Sequence, residues 1–172
     1  MKVLIIVDML KDFMEKGGTL YCGDKGRDII PFIKSKIGEC RTSPDCRVIY
    51  ICDAHDPDDK EFNMYEAHAV KGSEGSRIID ELEPEASDII IEKKTLRPFY
   101  GTDLGKVLKE LGPEEVMVTG VCTSICIMEV VGGLRVRGYN TVVYRDGVAD
   151  FDPQAHEPAL KRMEKTFKAR VL

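Results

Sequence analysis

Three residue types carry chemistry in this sequence: a cysteine at Cys126, a carboxylate at Asp8, and a lysine at Lys93 or Lys94. Cys126 lies in the stretch VMVTGVCTSICI (residues 116–127), where an apolar run reaches Gly120, a small polar turn follows and a helical segment begins. If Thr123 or Ser124 caps that helix, Cys126 falls in its first turn. There, unpaired backbone N–H groups and the positive end of the helix dipole favour a thiolate. The same N–H groups suit the oxyanion formed when a thiolate attacks a carbonyl. Taken alone, Cys126 reads equally well as a buried structural cysteine. Asp8 ends the apolar run at residues 2–7, and a carboxylate can take a thiol proton and return it to a leaving amine. A lysine at a strand end can hold the thiolate or the developing negative charge. Individually these are an ordinary loop-capping acid and a solvated lysine; their shared position at the ends of buried strands sets them apart.

The elements that must position them alternate along the chain. Residues 2–7, 48–52, 88–91, 116–121 and 141–144 read as apolar strands, and residues 169–172 as an edge strand. Between them the spacing predicts helices over 27–40, with Ile30, Ile33 and Ile37 on one face, over 77–82, over 102–111 with Thr102 as its cap, over 127–137, and over 157–167. Residues 9–26 form a glycine-rich stretch with the make-up of a pocket-lining loop, and residues 54–76 a long polar excursion. Gly132 and Gly133 inside a helix point to a close helix or subunit contact, or to a kink. This alternation predicts an α/β protein of three layers, α/β/α, with a mostly parallel six-stranded sheet. Ligands of such sheets bind beyond the carboxyl ends of the strands, where Asp8, Asp53, the two lysines and the turn before Cys126 fall.

The chain of 172 residues fits a single domain over residues 1–172, with a core large enough to need no staples. A net charge of −5 with interspersed acids and bases offers no basic stripe, so nucleic acid is not an expected partner. The apolar run before Asp8 is too short for a signal peptide or a membrane span, which predicts a cytoplasmic protein without a membrane partner. The six cysteines (22, 40, 46, 52, 122 and 126) include no CxxC pair, and all are expected as thiols in a reducing compartment.

Four stretches together resemble one family, the isochorismatase-like cysteine hydrolases, which include nicotinamidases and N-carbamoylsarcosine amidases. They are LIIVDMLKDF, CDAHDPDD with HAVKGSEG, IIEKKTLRPFYGTDL, and VTGVCTSIC, and the resemblance covers nearly the whole chain. It implies an Asp-Lys-Cys triad on a six-stranded, three-layer fold: Asp8, Cys126 as nucleophile, and Lys93 by its spacing from Phe99, Gly101 and Thr102. Lys94 is the rival, since adjacent strand residues face opposite ways. The family's cis peptide falls between Val121 and Cys122, and its oxyanion hole on the N–H groups of Cys122 and Cys126. A homo-oligomer is also implied.

The same resemblance matches Asp53, His55 and His68 to the divalent metal site of nicotinamidases, a donor set suited to zinc or a similar ion. Glu61 stands where those enzymes have a serine, and could complete the site. A loop held together by hydrogen bonds from Asp53 and His55 is the other reading. His156 reads as a surface residue. Phe13, Tyr65 and Tyr100 are candidate walls of a small pocket, and Arg97 a candidate partner for a substrate carboxylate. Together these imply hydrolysis of a small-molecule amide, with nicotinamide the first candidate and an N-carbamoyl amide the second. Isochorismatases proper lack the nucleophilic cysteine, so Cys126 argues against vinyl-ether hydrolysis. From another class, a non-catalytic binding or redox-sensing module would pair its reactive thiol with Cys122.

Overall fold

The computed structural model describes residues 1–172 and places one six-stranded sheet, all of its strands parallel, between two layers of helices. In chain order the elements are β1 (Lys2–Val7), α1 (Lys11–Met14), α2 (Gly23–Asp28), α3 (Ile30–Thr42), β2 (Cys46–Asp53), β3 (Ile89–Lys93), α4 (Leu104–Leu111), β4 (Glu115–Val121), α5 (Met128–Val136), β5 (Thr141–Ala149), α6 (Pro153–Lys165) and β6 (Arg170–Val171). The sheet runs β3-β2-β1-β4-β5-β6, so chain order reverses between β1 and β4. That reversal opens the crevice in which parallel α/β sheets bind ligands.

Both sheet faces are covered, and β1 shows why its apolar run is unbroken. Leu4 and Ile6 pack with Ile33 and Ile37 of α3 on one side. Val3, Ile5 and Val7 pack with Leu104, Leu108, Val130 and Leu160 from α4, α5 and α6 on the other. The two cores have 23 and 21 buried residues, so the central strands lose water equally on both sides. No helix is long and apolar enough to cross a membrane.

Several local expectations change. The 9–26 stretch is not all loop: it carries α1 and α2, the latter capped without a side-chain bond at Cys22. Asp103, not Thr102, precedes α4. The Thr102 hydroxyl instead bonds the carbonyl of Pro98 and accepts from the N–H of Leu104 at 3.3 Å. The 77–82 segment is only a short 3-10 turn over Asp80–Leu82. Helix α6 starts earlier than its apolar face suggests, because the Asp152 carboxylate accepts from the N–H of Gln154 at 2.8 Å and Pro153 opens the first turn. Strand β5 extends past a register shift opposite Val118 and Gly120, which carries the chain to Asp150.

Two glycine questions resolve within the chain. A Cβ at Gly133 would lie 2.5 Å from the Phe99 ring and one at Gly132 would touch Phe167, so the pair makes room for the chain's own aromatics. Gly120 has φ +114°, and a Cβ there would fall 2.1 Å from the carbonyl oxygen of Val7, so only glycine lets β4 run this close to β1.

The expectation of six thiols is corrected: Cys40 and Cys46 form a disulfide. The tight turn from the end of α3 into β2 brings their Cα atoms to 5.1 Å, within bridging range. The other four cysteines are free.

Candidate active site

Each candidate side chain stands at the carboxyl end of a different strand. Asp8 follows β1 with φ +51°, a left-handed conformation that acidic and amide residues tolerate better than most. It is held there by its own N–H to the carbonyl of Ile51 at 2.9 Å and by its Oδ1, which accepts the N–H of Asp53, also at 2.9 Å. Lys93 is the last residue of β3 and pairs in register with Asp53. It shares the pleat of buried Ile91 and is itself 1% exposed, whereas Lys94 turns outward to an exposed ion pair with Asp56.

Cys126 is not in the first turn of a side-chain-capped α-helix. Residues Thr123–Ile127 form a single π-turn leading into α5, and neither Thr123 nor Ser124 caps it. The Thr123 hydroxyl bonds Nδ1 of His156 at 2.9 Å instead. The N–H of Ser124 donates to Oδ2 of Asp150 at 2.7 Å. Asp150, which follows β5, and His156 of α6 thus fasten the turn, and neither is among the site residues expected from the sequence. His156, read as surface, is half-buried. Its signal and that of Asp150 lay only in following β5 to its true end. The peptide between Val121 and Cys122 is cis, and the N–H of Cys122 has no partner within the chain.

The three side chains meet in a buried cluster. Lys93 Nζ lies 3.0 Å from Oδ2 of Asp8 and 3.7 Å from Sγ of Cys126, and it is ion-paired with Asp53. Oδ2 of Asp8 is close to the ammonium but not aligned for a hydrogen bond, which leaves it able to accept a proton. Acceptor atoms of Asp8 and Asp53 and the thiol of Cys126 all lie within 4.8 Å of one another. Burial, then repulsion from Asp53, pushes the Asp8 carboxyl up to about 6, against the pull of Lys93. Burial opposes ionisation of Asp53 too, but Lys93 and the two neighbouring histidines outweigh it and hold this carboxyl far below the usual range. Burial also pushes the Cys126 thiol well up, with Lys93 pulling the other way. The resting cluster is therefore a thiol beside a carboxyl of near-neutral affinity, bridged by a lysine that its acidic neighbours keep charged against burial.

Above the cluster opens a cavity of about 310 Å³. Asp8 and Cys126 form its floor, and Phe13, Tyr65, Leu20 and Ile125 are among its walls. Phe13 packs edge-on against His68, ring centres 5.5 Å apart. Two expected pocket residues do not contribute. Tyr100 is 72% exposed and Arg97, with its side chain in solvent, faces Glu129 at 3.8 Å. Both belong to the turn between β3 and α4, of which only Leu96 reaches the cavity. Thr19, Tyr21, Leu96 and Phe151 line the cavity instead, and only the glycine-rich 9–26 stretch carried a hint of this.

Beside the floor, Asp53, His55 and His68 offer one oxygen and two nitrogens that lie mutually within 4.8 Å. The His68 Nδ1–H donates to the carbonyl of Glu66 at 2.7 Å, and Nε2 faces Asp53, 3.8 Å away. Nδ1 of His55 meets Asp59 at 3.1 Å, and its buried Nε2 has no hydrogen-bond partner. Glu61 is buried at the same place, with Oε1 unpartnered and its carboxyl pushed up by burial and by Asp53. Unpaired buried donors and acceptors of this kind are rare unless something fills the space between them. Their outer partners orient the two imidazoles as metal ligands are oriented. The residues present fit a divalent ion.

Comparison with known proteins shows the family to which the chain belongs. A family model described as the isochorismatase domain matches residues 2–172. The nicotinamidase PncA of Bacillus subtilis superposes with TM-score 0.93 at 30% identity over 99% of this chain and 98% of its own. The N-carbamoylsarcosine amidase of Thermoplasma acidophilum superposes with TM-score 0.89, also at 30% identity, over 99% of this chain and 94% of its own. A pyrazinamidase of Pyrococcus horikoshii, crystallised in complex with zinc, gives 0.91 at 26% identity over 99% and 98% of the two chains. The chain belongs to the isochorismatase family of hydrolases.

Proposed function

We propose that this protein is a cysteine amidohydrolase that cleaves a small, neutral carboxamide and releases ammonia, as a nicotinamidase does. It would then be a hydrolase of linear amides. The observation that carries the reading is the meeting of Asp8, Lys93 and Cys126 on a cavity floor, with Lys93 Nζ 3.0 Å from the acid and 3.7 Å from the thiol. In the reaction, Asp8 takes the proton of Cys126 and Lys93 holds the resulting thiolate. Sulfur attacks the amide carbonyl carbon, and the N–H groups of Cys122 and Cys126 hold the oxyanion. The carbon–nitrogen bond breaks as Asp8 returns its proton to nitrogen, ammonia leaves and a thioester remains. Water, losing a proton to Asp8, then attacks the thioester. The acid product departs and the thiol regains its proton.

No lysine or arginine lines the cavity walls, and aromatic and aliphatic side chains dominate them, which suits a flat uncharged substrate. N-carbamoylsarcosine amidase-like hydrolysis is the second reading, supported by the similarity to that enzyme. It would need a cation for the substrate carboxylate, and Arg97 lies outside the cavity. Asp53, His55, His68 and Glu61 would hold a divalent, zinc-like ion, which would supply a positive, electron-withdrawing centre at the edge of the cavity. The homo-oligomer expected by resemblance would use a face other than the Gly132–Gly133 strip, which Phe99 and Phe167 occupy.

The test is ammonia release from a panel of amides, nicotinamide and N-carbamoylsarcosine among them, by the native chain and by Cys126→Ala. Turnover of a neutral carboxamide that vanishes in the variant is expected. Substantial turnover by a folded Cys126→Ala protein would overturn the reading.

A further inference from the structure

The mechanism above leaves one pair of reactive groups unused at the cavity wall. Sγ of Cys22 lies 3.2 Å from Sγ of Cys122, although the two residues are a hundred positions apart. Cys22 closes the segment Thr19–Tyr21 that walls the cavity on one side, and Cys122 immediately precedes the turn that carries Cys126. Cys22 is 2% exposed, so nothing approaches it from outside. Cys122, by contrast, lines the cavity and is reached through it.

We propose that Cys22 and Cys122 are an oxidation site, a dithiol that a small hydroperoxide entering through the cavity closes into a disulfide. Closure to a sulfur–sulfur bond of about 2.05 Å needs an approach of only about 1 Å between the two sulfurs. In the first step the Cys122 thiolate attacks one peroxide oxygen. The O–O bond breaks, and a sulfenic acid and one water (or alcohol) form after proton uptake. In the second, the Cys22 sulfur attacks the Cys122 sulfur, the S–O bond breaks, and hydroxide leaves with the Cys22 proton as water. Two thiols and one hydrogen peroxide thus give one disulfide and two waters. The contact with Cys22, and then burial, hold the Cys122 thiol well above its usual range, so closure is slow. Cys126 contacts Lys93 rather than a second thiol, so Cys122 pairs with Cys22 and not with the nucleophile.

The bridge would tie the 9–26 segment to the nucleophile turn and displace the N–H of Cys122. The loss of activity that follows rests on the proposed amidase reading; formation of the bridge does not. The experiment treats the fully reduced whole chain with hydrogen peroxide and maps peptides by mass spectrometry without reduction. Cys122 and Cys126 share one tryptic peptide, since no lysine or arginine lies between Glu110 and Leu134, so the mapping uses Cys126→Ala. Expected is a peptide of residues 17–25 joined to that of residues 110–135 and lighter by two hydrogens. Cys22→Ser should lack the joint peptide and accumulate Cys122 sulfenic acid, trapped by dimedone. In the native chain, amide turnover should fall at least tenfold on oxidation and recover with dithiothreitol to a degree that Cys22→Ser does not reproduce. Absence of the joint peptide from folded Cys126→Ala would overturn the site. A bridge that forms while turnover is unchanged would overturn its effect on the reaction alone.

Discussion

Lys93 Nζ lies 3.7 Å from the thiol of Cys126 and 3.0 Å from Oδ2 of Asp8. The lysine is buried with two acids, Asp8 and Asp53, and its charge is what allows both to stay in the interior. Lys93→Met should therefore cost about 3–5 kcal/mol of stability, by leaving two carboxyls buried without a counterion. Turnover should fall at least a thousandfold, while Lys94→Ala should leave both unchanged. Urea unfolding and steady-state kinetics on the two variants check this; equal effects would refute the assignment of Lys93.

Asp8 works as a base only when ionised, and its carboxyl is pushed up to about 6. The ratio kcat/KM should therefore fall about tenfold per unit below pH 6 and level off above it. The stability sign is opposite to the usual acid case. A carboxyl whose folded pKa exceeds its unfolded one favours the folded state fully below pH 3.8, and that contribution is lost as pH rises through 6. A pH–rate profile with an acidic limb near 4 would show that Asp8 does not titrate as its burial demands.

Elemental analysis of protein purified without chelator should find about one zinc-like ion per chain, and His68→Ala should lose it. Glu61→Gln should bind the same ion more weakly, if the unpartnered Oε1 is a ligand. Thermal unfolding with and without added zinc gives a readout independent of activity: the native chain should shift upward and His68→Ala should not. Equal shifts would place the ion elsewhere.

Asp150 holds the turn before the nucleophile through the Ser124 N–H at 2.7 Å, and its other oxygen accepts from Asp152 at 3.0 Å. Asp150→Ala should lower stability by about 1–3 kcal/mol, by leaving a half-buried donor unpaired. As a positioning residue it should affect kcat more than KM, and Asp150→Asn should restore part of the rate. A loss confined to KM would argue for a role in substrate binding instead.

Gly133→Ala should cost about 1–3 kcal/mol, because its new methyl would meet Phe99 at 2.5 Å. Restoration by the double change with Phe99→Leu would show that this contact is the cause.

By itself the sequence determined the alternation of strands and helices and the carboxyl edge on which Asp8, Lys93 or Lys94, and Cys126 converge. Unbroken apolar runs mean strands buried on both faces, and parallel strands put their ends on one edge. The end of α4 at Leu111 follows from the same local rules, since Gly112 closes the helix in a left-handed cap that acts on the backbone within a few residues. What lay beyond reach depends on register and packing between distant segments. The pleat of β3 against β2 selects Lys93 over Lys94. The path of the β3–α4 turn takes Arg97 and Tyr100 out of the cavity, and the extension of β5 brings Asp150 to Ser124. Only the folded chain puts Cys22 beside Cys122 and bridges Cys40 to Cys46, since local spacing reports burial and backbone geometry but not which side chains meet across it.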